Sequence, residues 1–212
     1  MTLPMAPPAA APERERLVAR ARLLAWVGLG WHVAEAAIAI GAGIAASSIA
    51  LIGFGADSLI EAAAGIVVIW LMAGGRSGSP SAERRAQQLI AVSFGALAVY
   101  VAVESVRDLA GAHHPDVSWV GIGLAVVTLA TMPPLAAAKR RVGMQLESSA
   151  TTSESRQTML CAYLSAALLV GLGANAIAGW WWADPVVALA IAGVAAREAR
   201  EAWRGRACDC CS

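Results

Sequence analysis

Several signatures of soluble chemistry are missing from this chain. It has no Gly-rich phosphate loop, no basic stripe of the nucleic-acid kind and no repeat at solenoid spacing. Those absences argue against nucleotide-driven enzymes, nucleic-acid partners and stacked-repeat scaffolds. Histidine is scarce: of the three present, His113 and His114 share one short polar connection, so the several-His constellation of an intramembrane metalloenzyme is lacking too. Of the four cysteines, Cys208, Cys210 and Cys211 crowd into the last residues, on the side read below as cytoplasmic. Thiols stay reduced there, which excludes a disulfide framework. No short apolar core with a small-residue cleavage site precedes the first long apolar run. Neither a cleaved signal peptide nor a lipidation signal is therefore expected.

What the chain has is apolar length. Of its 212 residues 58% are hydrophobic and the mean hydropathy is +0.61, whereas a soluble domain is about half apolar. The excess falls into runs long enough to cross a bilayer. The pattern predicts an all-α, polytopic membrane protein with six transmembrane helices, near 22–45, 48–73, 87–110, 117–138, 150–180 and 184–204. A polar N-terminal arm over 1–21 precedes this single domain of 22–205, and a Cys-rich tail over 206–212 follows it. The first two spans are joined by a residue or two near Ser47 and Ser48, as an antiparallel hairpin. Residues 74–86 and 139–149 read as polar connections on one side, and 111–116 and 180–185 as connections on the other. Pro133 and Pro134 remove two backbone donors and are expected to kink or end the fourth span.

Orientation follows from the basic residues. All sixteen Lys and Arg except Arg107 fall on one side of this arrangement, which the positive-inside rule makes cytoplasmic. Both termini are then cytoplasmic, as an even number of spans requires, and a bacterial inner membrane is the expected location. Trp119 and Trp180 to Trp182 mark the outer interface; Trp26, Trp70 and Trp203 mark the inner one.

Charge inside the apolar runs is where chemistry is expected, because an intramembrane carboxylate is costly and is usually retained for a task. Asp57 and Glu61 sit one helical turn apart in SSIALIGFGADSLIEAAAGIVVIWLM, so both face the same way. Oxygen ligands of this kind suit hard or borderline cations. In the fifth span Glu154, Gln157, Cys161 and Ser165 share a stripe that reads as the wall of a wet cavity. The bland alternative is that 147–158 is a cytoplasmic loop and Cys161 a buried small hydrophobe. His32 and Glu35, three apart in the first span, are read as pathway or proton-coupling residues, as is Glu154, against the alternative of a structural pair. Glu104, Arg107 and Asp108 read as an interfacial charge cluster. Cys208, Cys210 and Cys211 offer thiols that can capture metal, or form a tail without function.

These pieces together resemble the membrane domain of the cation diffusion facilitator family, over roughly 20–205. GIAASSIALIGFGADSLIE is similar to that family's Gly, Ser-x-Ala-Leu and Asp-x-x-x-Asp pattern, with Asp57 at the first acid and Glu61 at the second. Glu104-Ser-Val-Arg-Asp-Leu resembles the end of its third helix, and Ala183-Asp184-Pro185 the start of its sixth. The fifth span departs from the pattern: Gln157 stands for the usual His and Cys161 for the usual Asp, and His32 stands where a first-helix Asn is common. The resemblance implies a metal first shell of Asp57, Glu61, Cys161 and Gln157, softened by the thiol. It also implies that the family's cytoplasmic C-terminal domain is lacking, so that any homodimer is built through the membrane domain.

The resulting expectation is a divalent metal cation efflux transporter, a metal/proton antiporter with a midplane site on the second and fifth helices. It would be a secondary transporter rather than an enzyme, with no cofactor beyond the transported ion: zinc, cobalt, cadmium, iron or manganese. Its expected partners are the metal ion, protons and the lipid bilayer, with no nucleic acid. A metal-binding membrane sensor or capture protein without transport is the alternative. An intramembrane enzyme ranks below both, because Cys161 has no evident base.

Overall fold

The computed structural model describes residues 11–72, 80–111, 114–146 and 148–204. These residues form six helices: α1 (Ala11–Ala46), α2 (Ile49–Met72), α3 (Pro80–Gly111), α4 (Trp119–Gln145), α5 (Ser149–Ala178) and α6 (Ala183–Trp203). Ala- and Leu-rich composition favours helix throughout, and the ends carry their own punctuation. Ser118 caps α4 by accepting from the Gly121 amide at 3.1 Å. Ser148 caps α5 by accepting from the Thr151 amide at 3.3 Å. Gly179, at φ 64°, closes α5 in the left-handed conformation and donates to the Asn175 carbonyl at 3.0 Å; glycine reaches that conformation without a Cβ penalty.

Two expected connections are partly helical: α3 begins at Pro80, inside the expected connection 74–86. The region 139–149 is not mainly a polar connection: α4 continues through Pro133 and Pro134 as far as Gln145. The prolines remove the amides that would reach the carbonyls of Leu129 and Ala130, but packing against α5 along its length holds the helix together. Helix α5 begins at Ser149, close to the expected start near 150, so 149–158 is helix rather than the alternative loop.

The contacts at the helix ends establish direction. The Asp116 amide donates to the Ala46 carbonyl at 2.9 Å, and Asn175 Nδ2 donates to the Pro115 carbonyl at 2.9 Å. Ser48 Oγ donates to Asp184 Oδ1 at 2.5 Å, and the Ala50 amide donates to Asp184 Oδ2 at 3.2 Å. One end of the bundle therefore collects the α1–α2 corner, the α3–α4 connection, the end of α5 and the start of α6. The α4–α5 corner lies at the opposite end. Helices α1, α2, α4 and α5 form a four-helix bundle, in which α1 pairs with α2 and α4 with α5. Helices α3 and α6 pair with each other and pack on it through α2 and α5.

Close approach is made by small residues. A Cβ on Gly43 would lie 2.7 Å from Ile52 Cγ1 and 2.9 Å from the Ile52 amide nitrogen, so α1 and α2 can meet only because that position is glycine. Small and aliphatic side chains, among them Ala39, Ala50, Ala125, Ala162 and Ala188 with Leu51, Phe54 and Leu168, make the core. Large apolar residues such as Leu23, Trp26, Ile44, Tyr163, Val170 and Ile177 face outward. Three of the described helical stretches, Glu13–Ala46, Trp119–Gln145 and Glu154–Ala178, are long and apolar enough to cross a membrane.

Gly43→Ala is expected to destabilise the bundle by about 1–3 kcal/mol through overpacking. Gly41→Ala, where the added methyl meets nothing within 4 Å, should leave the melting temperature in detergent unchanged or raised. A thermal unfolding series on the two variants checks the pair.

Candidate functional site

Side chains from four helices converge midway along the bundle. Helix α1 supplies His32 and Glu35, whose spacing of three stacks them on one face. Helix α2 supplies Ser58 and Glu61, α4 supplies Thr128 and α5 supplies Cys161. All six are buried. Glu35 is the hub. Ser58 Oγ donates to its Oε2 at 3.0 Å, Thr128 Oγ1 donates to its Oε1, and the Cys161 thiol lies 3.7 Å from Oε2. His32 Nδ1 stands between two acids, 3.3 Å from Glu35 Oε2 and 3.1 Å from Glu61 Oε2.

One nitrogen carries at most one proton, so Nδ1 cannot donate a separate, well-aligned hydrogen bond to each carboxylate. The bond geometry is met toward Glu35. Glu61 Oε2 is left buried with no hydrogen-bond partner among the described residues. Leaving such an oxygen unsatisfied costs about 1–3 kcal/mol, and more if it is ionised. The position calls for a cation or a proton.

A cation suits the surroundings. Donor atoms of His32, Glu61 and Cys161 all lie within 4.8 Å of one another. Tetrahedral coordination with bonds of roughly 2.0–2.3 Å sets donors about 3.5 Å apart, so small side-chain rotations would close the three around one ion. The donors are an imidazole nitrogen, a carboxylate oxygen and a sulfur, a set that suits borderline metals better than magnesium or calcium. Glu35 then occupies the supporting position, orienting His32 and tying the site to α2 and α4.

The remaining candidates are spread around this centre. Asp57 is buried one turn from Glu61 on α2 but is not one of the three clustered donors; it lies within electrostatic reach of Glu35 and of Glu198 on α6. Gln157, one turn before Cys161 on α5, is half-buried. Ser165 donates to the Cys161 carbonyl at 2.7 Å, a bond within its own helix. Glu154 lies two turns from Cys161 and is paired with Lys139 at 2.8 Å. Glu104 and Arg107 pair at 2.6 Å near the end of α3, and His114 packs against Trp181 with ring centroids 5.0 Å apart. Cys208, Cys210, Cys211 and His113 lie outside the described residues.

The sequence implies a metal shell of Asp57, Glu61, Cys161 and Gln157 and sets His32 apart as a pathway residue; the structure clusters His32 with Glu61 and Cys161 and leaves Asp57 and Gln157 outside those three donors. Sequence reasoning also missed Ser58 and Thr128, which carry no signal of their own. A hydroxyl inside an apolar run normally bonds its own helix, and only a facing carboxylate shows it doing more. Lys139 was read as a cytoplasmic surface charge and proves to be buried, 1% exposed.

No family model matches the chain. It is 25% identical, over 179 residues, to an uncharacterized transporter of Synechocystis sp., in an alignment covering 81% of this chain and 58% of that protein. The chain thus spans a little over half the length of the curated relative it matches.

Glu35→Gln is expected to keep the shape of the hub while weakening its acceptors. Zinc affinity in detergent should fall about 10- to 100-fold, the usual effect of altering a group that orients a ligand. Isothermal titration measures this. Cobalt should give a sulfur-to-metal charge-transfer band that disappears in Cys161→Ser.

Proposed function

We propose that this chain is a membrane transporter of divalent metal cations, working as a metal/proton antiporter of the cation diffusion facilitator type. The observation that carries the reading is the clustering of Glu61, His32 and Cys161 donors in the interior, with the buried Glu61 Oε2 beside the His32 ring nitrogen but lacking a hydrogen bond of good geometry. The apolar helices and the likeness to an uncharacterized transporter support it, as do the quoted motifs around Asp57, Glu104 and Asp184.

In this reading all six helices span the membrane. The α4–α5 corner faces the cytoplasm, because Arg140, Arg141, Arg156, Arg197, Arg200 and Arg204 are exposed toward that end. The metal arrives from the cytoplasm, and ligands that are protonated in its absence release protons as it binds. Rearrangement of the helices then opens the site to the opposite side, where protons return and the metal leaves. Sulfur and imidazole favour zinc, cadmium and cobalt among the cargo ions. Asp57, close enough to share the field of the site, is assigned to cargo relay or proton exchange.

The experiment is zinc flux in proteoliposomes with a pH reporter inside. Zinc movement with opposed proton movement is expected in the wild type and should be lost in Glu61→Gln and His32→Ala. Loss in Asp57→Ala as well would extend the working site along α2. Tight zinc binding with no flux in the wild type would overturn transport and leave a capture protein.

A further inference from the structure

The two hairpin corners are the same piece of structure made twice. At the first, Ser48 N–H donates to the Gly43 carbonyl at 2.9 Å, Ile52 N–H to the Ser48 carbonyl at 3.1 Å, and Leu51 N–H to Ser48 Oγ at 3.1 Å. At the second, Ser148 N–H donates to the Gly143 carbonyl at 2.9 Å, Thr152 N–H to the Ser148 carbonyl at 3.1 Å, and Thr151 N–H to Ser148 Oγ at 3.3 Å. Every residue of the second corner is the first plus 100 (43 and 143, 48 and 148, 51 and 151, 52 and 152). Gly143 is also pressed against its partner helix, its Cβ position 2.8 Å from Thr152 Oγ1. The match continues inward: Ser58 Oγ bonds the Phe54 carbonyl and Thr158 Oγ1 bonds the Glu154 carbonyl. The corners sit at opposite ends of the bundle, so the α1–α2 and α4–α5 hairpins form an inverted repeat, with Glu61 and Cys161 near each other at its centre.

Among the departures from the repeat, one pair of positions carries opposite charges. Where the first half has Ala39 and Phe54, the second has Lys139 and Glu154. Lys139 Nζ donates to Glu154 Oε1 at 2.8 Å and to Thr158 Oγ1 at 3.1 Å, with Lys139 1% and Glu154 6% exposed. A glycine on α1 makes room for the pair: a Cβ on Gly28 would lie 2.7 Å from Nζ, while Gly65 on α2 lies beside Glu154 at ordinary contact distance. The pair thus fills the bundle between the central site and the α4–α5 corner, one turn beyond His32 on α1 and two turns beyond Cys161 on α5. Pro133 and Pro134 interrupt the α4 ladder between Thr128 at the site and Lys139.

We infer that Lys139 and Glu154 form the closure of the metal path on the α4–α5 side, a plug in which the chain's own ammonium occupies the place of a cation until the path opens. The inference rests on the transport reading for its meaning, and its geometry does not depend on which metal is carried. A closure made of charge releases more readily into water than one made of packed apolar surface, because both ions regain solvation when they part. The opposite end, closed at the equivalent positions by Ala39 and Phe54, both fully buried, has no such release. The two α4 prolines leave fewer backbone hydrogen bonds between Thr128 and the segment bearing Lys139.

The test uses Cys161 as a reporter, with Cys208, Cys210 and Cys211 replaced by serine. The full chain is reconstituted in vesicles without metal, and a membrane-impermeant methanethiosulfonate is applied from each face in turn. Glu154→Gln should speed labelling by about tenfold, from the face bearing the α4–α5 corner only. Gly28→Ala, which displaces the ammonium without removing either charge, should do the same and is the deciding variant if Glu154→Gln does not fold. The exchange Lys139→Glu with Glu154→Lys should return labelling toward the wild-type rate. Unchanged labelling in a folded variant, or an equal rise from both faces, overturns the closure. One-sided labelling in vesicles that move no zinc supports the closure and overturns the transport reading.

Discussion

The arrangement depends on compensating Glu35. A carboxylate with 1% exposure in the middle of a bundle cannot be solvated by water, so the protein must supply donors. It does so from every side: Ser58 from α2, Thr128 from α4, and His32 from its own helix, with the Cys161 thiol of α5 alongside. Those bonds set the rotation of four helices relative to one another. Apolar packing alone would leave that rotation loosely specified, since Ala and Leu faces slide past one another with little change in contact. A hydroxyl turned away from Glu35 would leave an unmet acceptor.

Meeting these demands requires the backbones to come close. Short side chains such as Ser58, Thr128 and Cys161 reach a common centre only if the helices carrying them are separated by little more than their own bulk. Gly43 and Gly143 at the corners, and Gly28 beside Lys139, supply that closeness. The small residues and the buried polar groups are two halves of one device. Without glycine the polar groups could not meet, and without the polar groups the close approach would have only packing to hold it.

Compensation is not equal across the centre. Glu35 is well supplied, Glu154 is paired with Lys139, and Glu61 Oε2 has only the His32 ring nitrogen at 3.1 Å, without a hydrogen bond of good geometry. That gradient distinguishes three roles for chemically identical groups: a structural hub, a self-neutralised plug and a vacant acceptor beside imidazole and thiol. The inverted repeat explains how it arose geometrically. One hairpin motif used twice brings Glu61 against Cys161 at the axis, and departures from the repeat at 139 and 154 make the two ends unlike.

Much was legible before folding. Long apolar runs can bury their backbone only as helices, so the all-α class and the six segments follow from composition. Two acids a turn apart in such a run stand out because of their cost, and Cys161 stood out through its stripe with Glu154. The continuation of α4 past Pro133 and Pro134 was not legible, because local propensity argues for a break and only the contact with α5 outweighs it. Nor was the pairing of His32 with Glu61 and Cys161, or of Lys139 with Glu154. Periodicity along a helix states which residues share a face, but the facing partner is set by the rotation and depth of a different helix. The amino-acid order alone thus determined which segments are helices and which groups are too costly to be idle. Only the tertiary structure decided which of those groups are satisfied, because satisfaction depends on distances between helices that no single helix encodes.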